Sequence, residues 1–92
     1  MSRSRMHIHY SGRVQGVGFR YTVKSLVTGF EIVGTIRNLP DGRVELFAEG
    51  ERAELEAFQQ AVRDSGVGRF IADEAVTWCE SRGKFCGFQI TG

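Results

Sequence analysis

The sequence predicts an α+β fold, a small domain in which strands and helices alternate. Three observations indicate this fold. The chain has only 92 residues, apolar residues alternate with polar ones along several short segments, and two longer segments carry apolar residues at helical spacing. Hydrophobic residues make up 41% of the chain and charged residues 25%, which is typical of a globular protein. We therefore expect a single domain spanning residues 1–92.

The first segments of the chain predict a strand followed by a helix. Met6, Ile8 and Tyr10 alternate with polar residues, as in a strand with one apolar face. The next apolar residues recur on one helical face: Phe19, Val23, Leu26, Val27 and Phe30. Gly29 lies near the end of this pattern, where glycine favours a helix C-terminus.

The rest of the chain predicts a hairpin, a second helix and two more strands. Residues 32–38 and 43–49 form the hairpin. Residues 51–64 have helical periodicity, whereas residues 74–79 and 86–90 have the pattern of strands. The resulting order, β-α-β-β-α-β with a short fifth strand, is ferredoxin-like: a mostly antiparallel sheet with two helices on one face.

The segment between the first strand and the first helix has the composition of an anion-binding loop. Over residues 12–20 its sequence is Gly-Arg-Val-Gln-Gly-Val-Gly-Phe-Arg. Glycines let backbone N–H groups approach a ligand, and a helix N-terminus adds unpaired donors and a partial positive charge. Arg20 adds a planar, permanently charged group that suits phosphate. The alternative is an ordinary tight turn that carries an incidental arginine.

Two better-known phosphate-binding loops do not fit this segment. A Walker A loop would need a glycine where Val17 stands, and a dinucleotide-binding fingerprint would need a glycine where Tyr21 stands. The fingerprint also needs an acidic residue at the end of the next strand, where this chain has Asn38. The loop therefore predicts phosphate binding of another kind.

The hairpin turn is the second informative segment. Pro40-Asp41-Gly42 is a turn signal, because proline presets φ, aspartate tolerates the turn and glycine accepts positive φ. Asn38 ends the strand before this turn. On its own, this asparagine fits either a functional site or an ordinary turn in which it bonds its own backbone.

Together, the two segments resemble the acylphosphatase family. Residues 12–20 are similar to the family's phosphate loop, and residues 34–45 to its second signature, Gly-x-Val-x-Asn-x-x-Asp-Gly-x-Val-Glu, with Ile36 in place of the valine. Length and element order also match, so the resemblance covers nearly the whole chain. It departs at Thr35, where the family often has tryptophan, and at residues 66–73, which lack the proline-rich character common there.

The resemblance implies metal-independent hydrolysis of the carboxyl–phosphate bond of acyl phosphates, which gives a carboxylate and inorganic phosphate. The implied catalytic residues are Arg20, which would bind phosphoryl oxygens, and Asn38, which would orient the attacking water. The backbone N–H groups that would hold the phosphoryl group belong to Gln15, Gly16, Val17, Gly18, Phe19 and Arg20. No cofactor and no metal ion are expected, since the substrate's own phosphate oxygen would accept the proton from water.

Five further side chains near these motifs have more ordinary interpretations. Arg13 could attract anions at the rim of the loop or make a structural salt bridge. The side chain of Phe19 is expected in the core, and Arg37 should point to the opposite sheet face from the site. His7 and His9 share the polar face of the first strand, and no cysteine or carboxylate accompanies them in the local sequence. We therefore expect a solvated sheet face there rather than a metal site.

Two other classes of function remain open. One is a binding module, because acylphosphatase-like domains also occur at the start of larger carbamoyl-transferring maturation proteins, where the same loop handles carbamoyl phosphate. The absence of a further domain in this chain favours a freestanding enzyme. The other class is RNA binding, because RNA-recognition domains share this element order. Against it, the third strand would place Glu45, Phe47 and Glu49 on one face, where two carboxylates would repel RNA phosphates.

Charge and hydropathy indicate a cytoplasmic protein whose partner is a small molecule. The net charge of +1 gives no overall field that would attract nucleic acid or an anionic membrane. No apolar run approaches the ~20 residues of a membrane span, and no signal-peptide core follows the N-terminus. We expect a monomer that binds acyl phosphate and inorganic phosphate, without nucleic-acid or membrane partners. Cys79 and Cys86 could form a disulfide, which a cytoplasmic location disfavours.

Overall fold

A computed structural model describes residues 3–91 and confirms the predicted α+β architecture. One five-stranded sheet carries two helices. The elements in chain order are β1 (Ser4–Gly12), α1 (Phe19–Val27), β2 (Ile32–Asn38), β3 (Val44–Gly50), α2 (Arg52–Asp64), a 3₁₀ turn (Gly68–Phe70), β4 (Ile71–Glu80) and β5 (Phe88–Ile90). Within residues 3–91, no helix has the length and apolar composition to span a bilayer.

The order of strands determines which ends of the chain segments meet. The order across the sheet is β4-β1-β3-β2-β5, and all neighbours are antiparallel except β2 and β5. Because β1 and β2 both run antiparallel to β3, they run in the same direction and end at the same sheet edge. Tyr10, Val44 and Asn38 form one row across these three strands. The loop after β1 and the turn after β2 are therefore neighbours.

The core lies between one face of the sheet and the two helices. Phe19 and Val23 of α1 are buried, as are Leu55, Phe58 and Val62 of α2. They pack on alternate residues of the central strands: Met6, Ile8, Tyr10, Ile36, Val44, Leu46 and Ala48. The apolar residues that alternate along the strands and those at helical spacing in α1 and α2 therefore face one common core.

Three elements differ by two residues or more at one boundary from the sequence-based prediction. Helix α1 ends at Val27, and Phe30 follows in a turn in which its N–H donates to the Val27 carbonyl. Phe30 nevertheless packs edge-on against Phe58, so its apolar character reflects the core rather than the helix. Strand β4 is longer than predicted and begins at Ile71, because its first residues pair with Ser11 and Gly12 across a register shift that interrupts the alternation of apolar and polar residues. Strand β5 is shorter and begins at Phe88.

The sheet face opposite the helices carries paired charges. Glu45, Phe47 and Glu49 share this face as predicted, but both carboxylates are buried and paired rather than solvated. The Glu49 carboxylate is fully buried and accepts hydrogen bonds from Arg5, Ser81 and the backbone N–H groups of residues 82 and 83. Burial raises its pKa, but these donors more than offset burial and hold the pKa at about 2.

Candidate active site

Residues 13–18 connect β1 to α1 and create a helix N-terminus that no side chain caps. Gly16 and Gly18 both have φ of 78°, a left-handed conformation that is unfavourable for other residues. Gly18 is the N-cap of α1, and its carbonyl accepts the first helical hydrogen bond from Thr22 at 3.0 Å. The first turn of α1 contains no acidic residue. A helix N-terminus of this kind is a potential anion site, and phosphate binding there stays a prediction.

Arg20, the second residue of α1, is half-buried beside this N-terminus. Among residues 3–91 its guanidinium makes no ion pair. The guanidinium carbon Cζ lies 6.0 Å from the centroid of the exposed Tyr21 ring. Five other arginines do pair with carboxylates: Arg5, Arg37, Arg43, Arg52 and Arg63. Arg20 thus retains its full capacity to bind an anion.

Asn38 is the last residue of β2 and lies on the helix-facing side of the sheet. Its Oδ1 is buried and, within the described residues, receives no hydrogen bond. Two other buried oxygens, Tyr10 Oη and Glu74 Oε2, also lack a hydrogen-bond partner. They differ from Asn38 Oδ1 because their residues lie directly opposite each other on β1 and β4. Burial raises the pKa of Tyr10, so its hydroxyl stays protonated. Asn38 therefore presents an unpaired acceptor at the sheet edge where the loop lies.

Arg37 points to the opposite sheet face, as strand alternation predicted. Its Nε donates to Glu45 Oε1 at 2.7 Å. Arg37 is therefore separated by the sheet from the candidate site, although it precedes Asn38 in the chain.

The side chain of Gln15 joins the loop to the hairpin turn. Its Nε2 donates to the carbonyl of Leu39 at 2.9 Å and to that of Arg43 at 3.0 Å. The turn itself is closed as predicted, with the Leu39 N–H donating to the Arg43 carbonyl at 2.8 Å. Leu39 follows Asn38 directly, so this contact fixes the loop against the strand end that carries Asn38. Sequence reasoning assigned only the Gln15 backbone to the site, because nothing in the sequence indicates which carbonyls a glutamine side chain reaches.

Apolar side chains anchor the same loop from beneath. Phe19 is buried, as expected, and tilts against the Tyr10 ring at a centroid distance of 5.1 Å. Val14 is also buried, which the sequence analysis missed, and Val17 packs against the core. These contacts hold the loop against the core.

Arg13 is exposed, and within residues 3–91 it makes no salt bridge. The backbone N–H of Arg13 donates to the Phe70 carbonyl at 3.0 Å. Arg13 and Arg69 line a cavity of about 370 Å³ beside the start of the loop, together with Phe70 and Ile71. The two arginines make this rim cationic.

The surroundings of His7 and His9 differ from those expected. Each side chain is only about a quarter exposed, and Glu45 of β3 lies against both imidazoles. No carboxylate is near them in the local sequence, as noted above, but the register of β1 and β3 brings Glu45 against them, so the expected solvated face is largely covered. Cys79 and Cys86 are free and exposed.

Comparison with known proteins identifies one family over most of this chain. The sequence profile of the acylphosphatase family matches residues 6–90. An acylphosphatase of Acaryochloris marina is 44% identical over 84 residues, which cover 87% of this chain and 85% of that protein. The crystal structure of acylphosphatase from Bacillus subtilis is similar with a TM-score of 0.88 and 36% identity, covering 97% of this chain and 99% of that one.

A larger protein also contains this fold. The crystal structure of full-length HypF, in its phosphate- and nucleotide-bound form, is similar with a TM-score of 0.84 and 25% identity. The match covers 98% of this chain but only 12% of HypF. The profile match and the identities to acylphosphatases agree with the uncapped helix N-terminus and the strand-end asparagine: this chain belongs to the acylphosphatase family.

Proposed function

We propose that Arg20 and the loop backbone bind the phosphoryl group and that Asn38 orients the attacking water. In this way the chain, a hydrolase, cleaves the carboxyl–phosphate bond of acyl phosphates, and the reaction needs no metal ion. The observation that carries the proposal is the coincidence of two unpaired groups at one sheet edge. The Arg20 guanidinium lacks a carboxylate, and Asn38 Oδ1 lacks a donor, among residues 3–91.

Phosphoryl binding rests on the loop and the start of α1. In the proposed complex, the backbone N–H groups of residues 15–20 donate hydrogen bonds to the phosphoryl oxygens. The positive end of the α1 dipole adds to the attraction for the anion. Arg20 contributes two parallel N–H donors and a full positive charge. Because the transition state of phosphoryl transfer is loose, with charge on the peripheral oxygens, donors fixed around those oxygens are the main catalytic requirement.

The chemical step needs few protein groups. The oxygen of water forms a bond to phosphorus while the bond from phosphorus to the carboxylate oxygen breaks. One proton of the water moves to a phosphoryl oxygen, so that R–CO–O–PO₃²⁻ and water give R–COO⁻ and H₂PO₄⁻. The leaving carboxylate is a weak base and departs without a general acid. The amide of Asn38 is neutral and orients the water rather than accepting its proton.

Asn38 is suited to hold that water. An unpaired buried oxygen is a strong acceptor for a water O–H. The contact of Gln15 with Leu39 keeps the strand end beside the loop, so that a water on Asn38 Oδ1 faces the phosphoryl group. Proximity of the nucleophile accounts for a large part of the rate enhancement in such a site.

The cationic rim supports substrate capture. Arg13 and Arg69 are not needed for the chemical step, but they raise the local concentration of an anionic substrate. They therefore raise kcat/KM rather than kcat, and this effect decreases with added salt. The cytoplasmic location and the monomeric state expected from the sequence stay predictions.

The test is hydrolysis of benzoyl phosphate in EDTA by the parent protein and by Arg20→Ala and Asn38→Ala. Turnover by the parent and loss in both variants, each by about 10²–10³-fold or more, is expected. Lys24→Ala, which removes an exposed charge from the same helix, is the matched control and should retain parental turnover. Full turnover by either site variant would contradict the assignment.

A second candidate function is a binding module, which the similarity to full-length HypF favours. In that case the parent would bind inorganic phosphate without hydrolysing benzoyl phosphate. Phosphate binding measured by calorimetry beside the hydrolysis assay separates the two functions, because only an enzyme shows multiple turnovers.

A further inference from the structure

Both histidines of the chain meet one carboxylate on the sheet face opposite the candidate active site. The chain contains two histidines, His7 and His9, and both lie on β1. Their Nε2 atoms lie 2.9 Å and 3.4 Å from the same oxygen, Oε2 of Glu45. The three potential ligand atoms all lie within 4.8 Å of one another. Within residues 3–91, this is the only group of three such ligands close enough to share an ion.

Strand geometry holds the two imidazoles in place. Residues two apart on β1 point to the same face, and the register places His9 directly opposite Glu45. The ring of His7 stacks on Phe47, with centroids 4.0 Å apart and planes within 10°. On the other side of β1, His7 and His9 are paired with Thr77 and Ala75 of β4, and about a quarter of each histidine side chain stays exposed.

A second contact orients the carboxylate. Glu45 Oε1 accepts a hydrogen bond from Arg37 Nε at 2.7 Å, which leaves Oε2 facing the imidazoles. Outer partners of this kind commonly fix the ligands of metal sites. Arg37 also brings a positive charge that weakens cation binding, but its side chain is half exposed and therefore screened by solvent. Arg5, a further cation on this face, is paired with Glu49.

The donor set selects a class of ion. Two imidazole nitrogens and one carboxylate oxygen suit Zn²⁺, Cu²⁺ or Ni²⁺, whereas Mg²⁺ and Ca²⁺ prefer oxygen ligands alone. Two ligand atoms about 2.1 Å from a tetrahedral ion lie about 3.4 Å apart. His9 and Glu45 have this spacing, whereas His7 is hydrogen-bonded to Glu45 at 2.9 Å, a contact that the bound ion replaces. Three protein ligands leave a fourth position for water.

We propose that His7, His9 and Glu45 form a surface binding site for a borderline divalent transition-metal ion such as Zn²⁺. The bound ion links β1 to β3. Since the loop follows β1 and the hairpin turn precedes β3, the ion stabilises the strands that carry the acylphosphatase site from the opposite face. The proposal is independent of the hydrolytic mechanism, which does not use these three residues.

The experiment uses the full chain with Cys79→Ser and Cys86→Ser, because exposed thiols would bind Zn²⁺ themselves. The protein is stripped with EDTA, dialysed into phosphate-free buffer at pH 7.5, and titrated with Zn²⁺ by calorimetry and by NMR of the imidazole nitrogens. Two histidines give two assignable imidazole signals. We expect one ion per chain, shifts of both imidazoles, and a Tm that rises with Zn²⁺ concentration.

Three substitutions identify the ligands. His7→Asn, His9→Asn and Glu45→Gln should each weaken Zn²⁺ binding by about tenfold or more. Glu56→Gln removes an exposed carboxylate of α2 and should leave Zn²⁺ binding unchanged. If Glu45→Gln does not fold, the two histidine variants and the NMR titration decide the question.

The metal-binding measurements test the metal site separately from the hydrolase activity. Absence of saturable Zn²⁺ binding, binding without imidazole shifts, or binding unchanged in His7→Asn would each refute the metal site. Turnover of benzoyl phosphate in EDTA by His7→Asn should equal that of the parent, since the assay removes the ion.

Discussion

At the scale of single residues, the two candidate catalytic side chains share one property: each lacks a partner within the described part of the chain. A buried polar atom without a partner costs about 1–3 kcal/mol, so folded proteins pair nearly all of them. Asn38 Oδ1 has no donor within residues 3–91, and the Arg20 guanidinium has no carboxylate there. Water and a phosphoryl group supply the missing partners in the proposed complex.

The first prediction separates binding from catalysis. Arg20→Ala should weaken the binding of inorganic phosphate and lower turnover together, because it removes a full positive charge from the loop. Asn38→Ala should lose turnover but keep phosphate affinity, because it acts on water. Calorimetry with phosphate and the benzoyl phosphate assay provide the two measurements. Equal loss of phosphate affinity in both variants would contradict the assigned roles.

The second prediction concerns the backbone of the loop. Gly18→Ala introduces a side chain at φ 78°, where no atom lies within 4 Å, so backbone strain of roughly 1–2 kcal/mol is the only cost. We expect that loss in the free energy of unfolding, with weaker phosphate binding as the N-cap relaxes. Gly66→Ala is the matched control, since it has equal space and no left-handed φ. Equal stability of the two variants would argue against strain at Gly18.

At the scale of elements, Gln15 connects the loop to the hairpin. The third prediction is that Gln15→Met, similar in volume but without donors, lowers kcat more than it raises KM, because Asn38 is less well placed against the loop. The loss of stability should be about 1 kcal/mol, since Leu39 and Arg43 keep other hydrogen bonds in the turn. Gln60→Met, on the exposed side of α2, is the control. A pure loss of stability with unchanged kcat would show that Gln15 has only a structural role.

At the scale of the whole molecule, Glu49 links β3, β1 and the segment after β4. Its pKa is about 2 in the folded protein against an ordinary 4.5. The stabilisation is therefore fully present above pH 4.5 and is lost as the pH falls toward 2. It amounts to about 3 kcal/mol.

The fourth prediction uses this dependence on pH. Urea denaturation, followed by fluorescence of the single tryptophan, Trp78, should show a smaller loss of stability between pH 5 and pH 3 in Glu49→Gln than in the parent. At neutral pH the variant should be less stable by a few kcal/mol, because buried donors lose their charged partner. Glu56→Gln, with an exposed carboxylate, should follow the parent at both pH values. If Glu49→Gln lost as much stability as the parent between pH 5 and pH 3, Glu49 would not be the group that makes stability depend on pH in this range.

Local patterns were sufficient for most of the fold. Alternation at Met6, Ile8 and Tyr10 and the Pro40-containing turn depend only on neighbouring residues, and the structure confirms both. The start of β4 and the position of Phe30 could not be predicted in the same way. The register shift opposite Ser11 and Gly12 interrupts the alternation at the start of β4, and an apolar residue beyond a helix can still reach the core.

The sequence by itself determined the element order, most of the apolar core and the two motifs that resemble those of the acylphosphatase family, because each depends on residues close together in the chain. Tertiary structure alone decided that Gln15 holds the hairpin turn, that Asn38 Oδ1 lacks a donor, and that Glu45 joins His7 and His9. These contacts arise from strand register and from loops that meet at a sheet edge. Their partners lie 24 to 38 residues apart, so local periodicity carries no information about them.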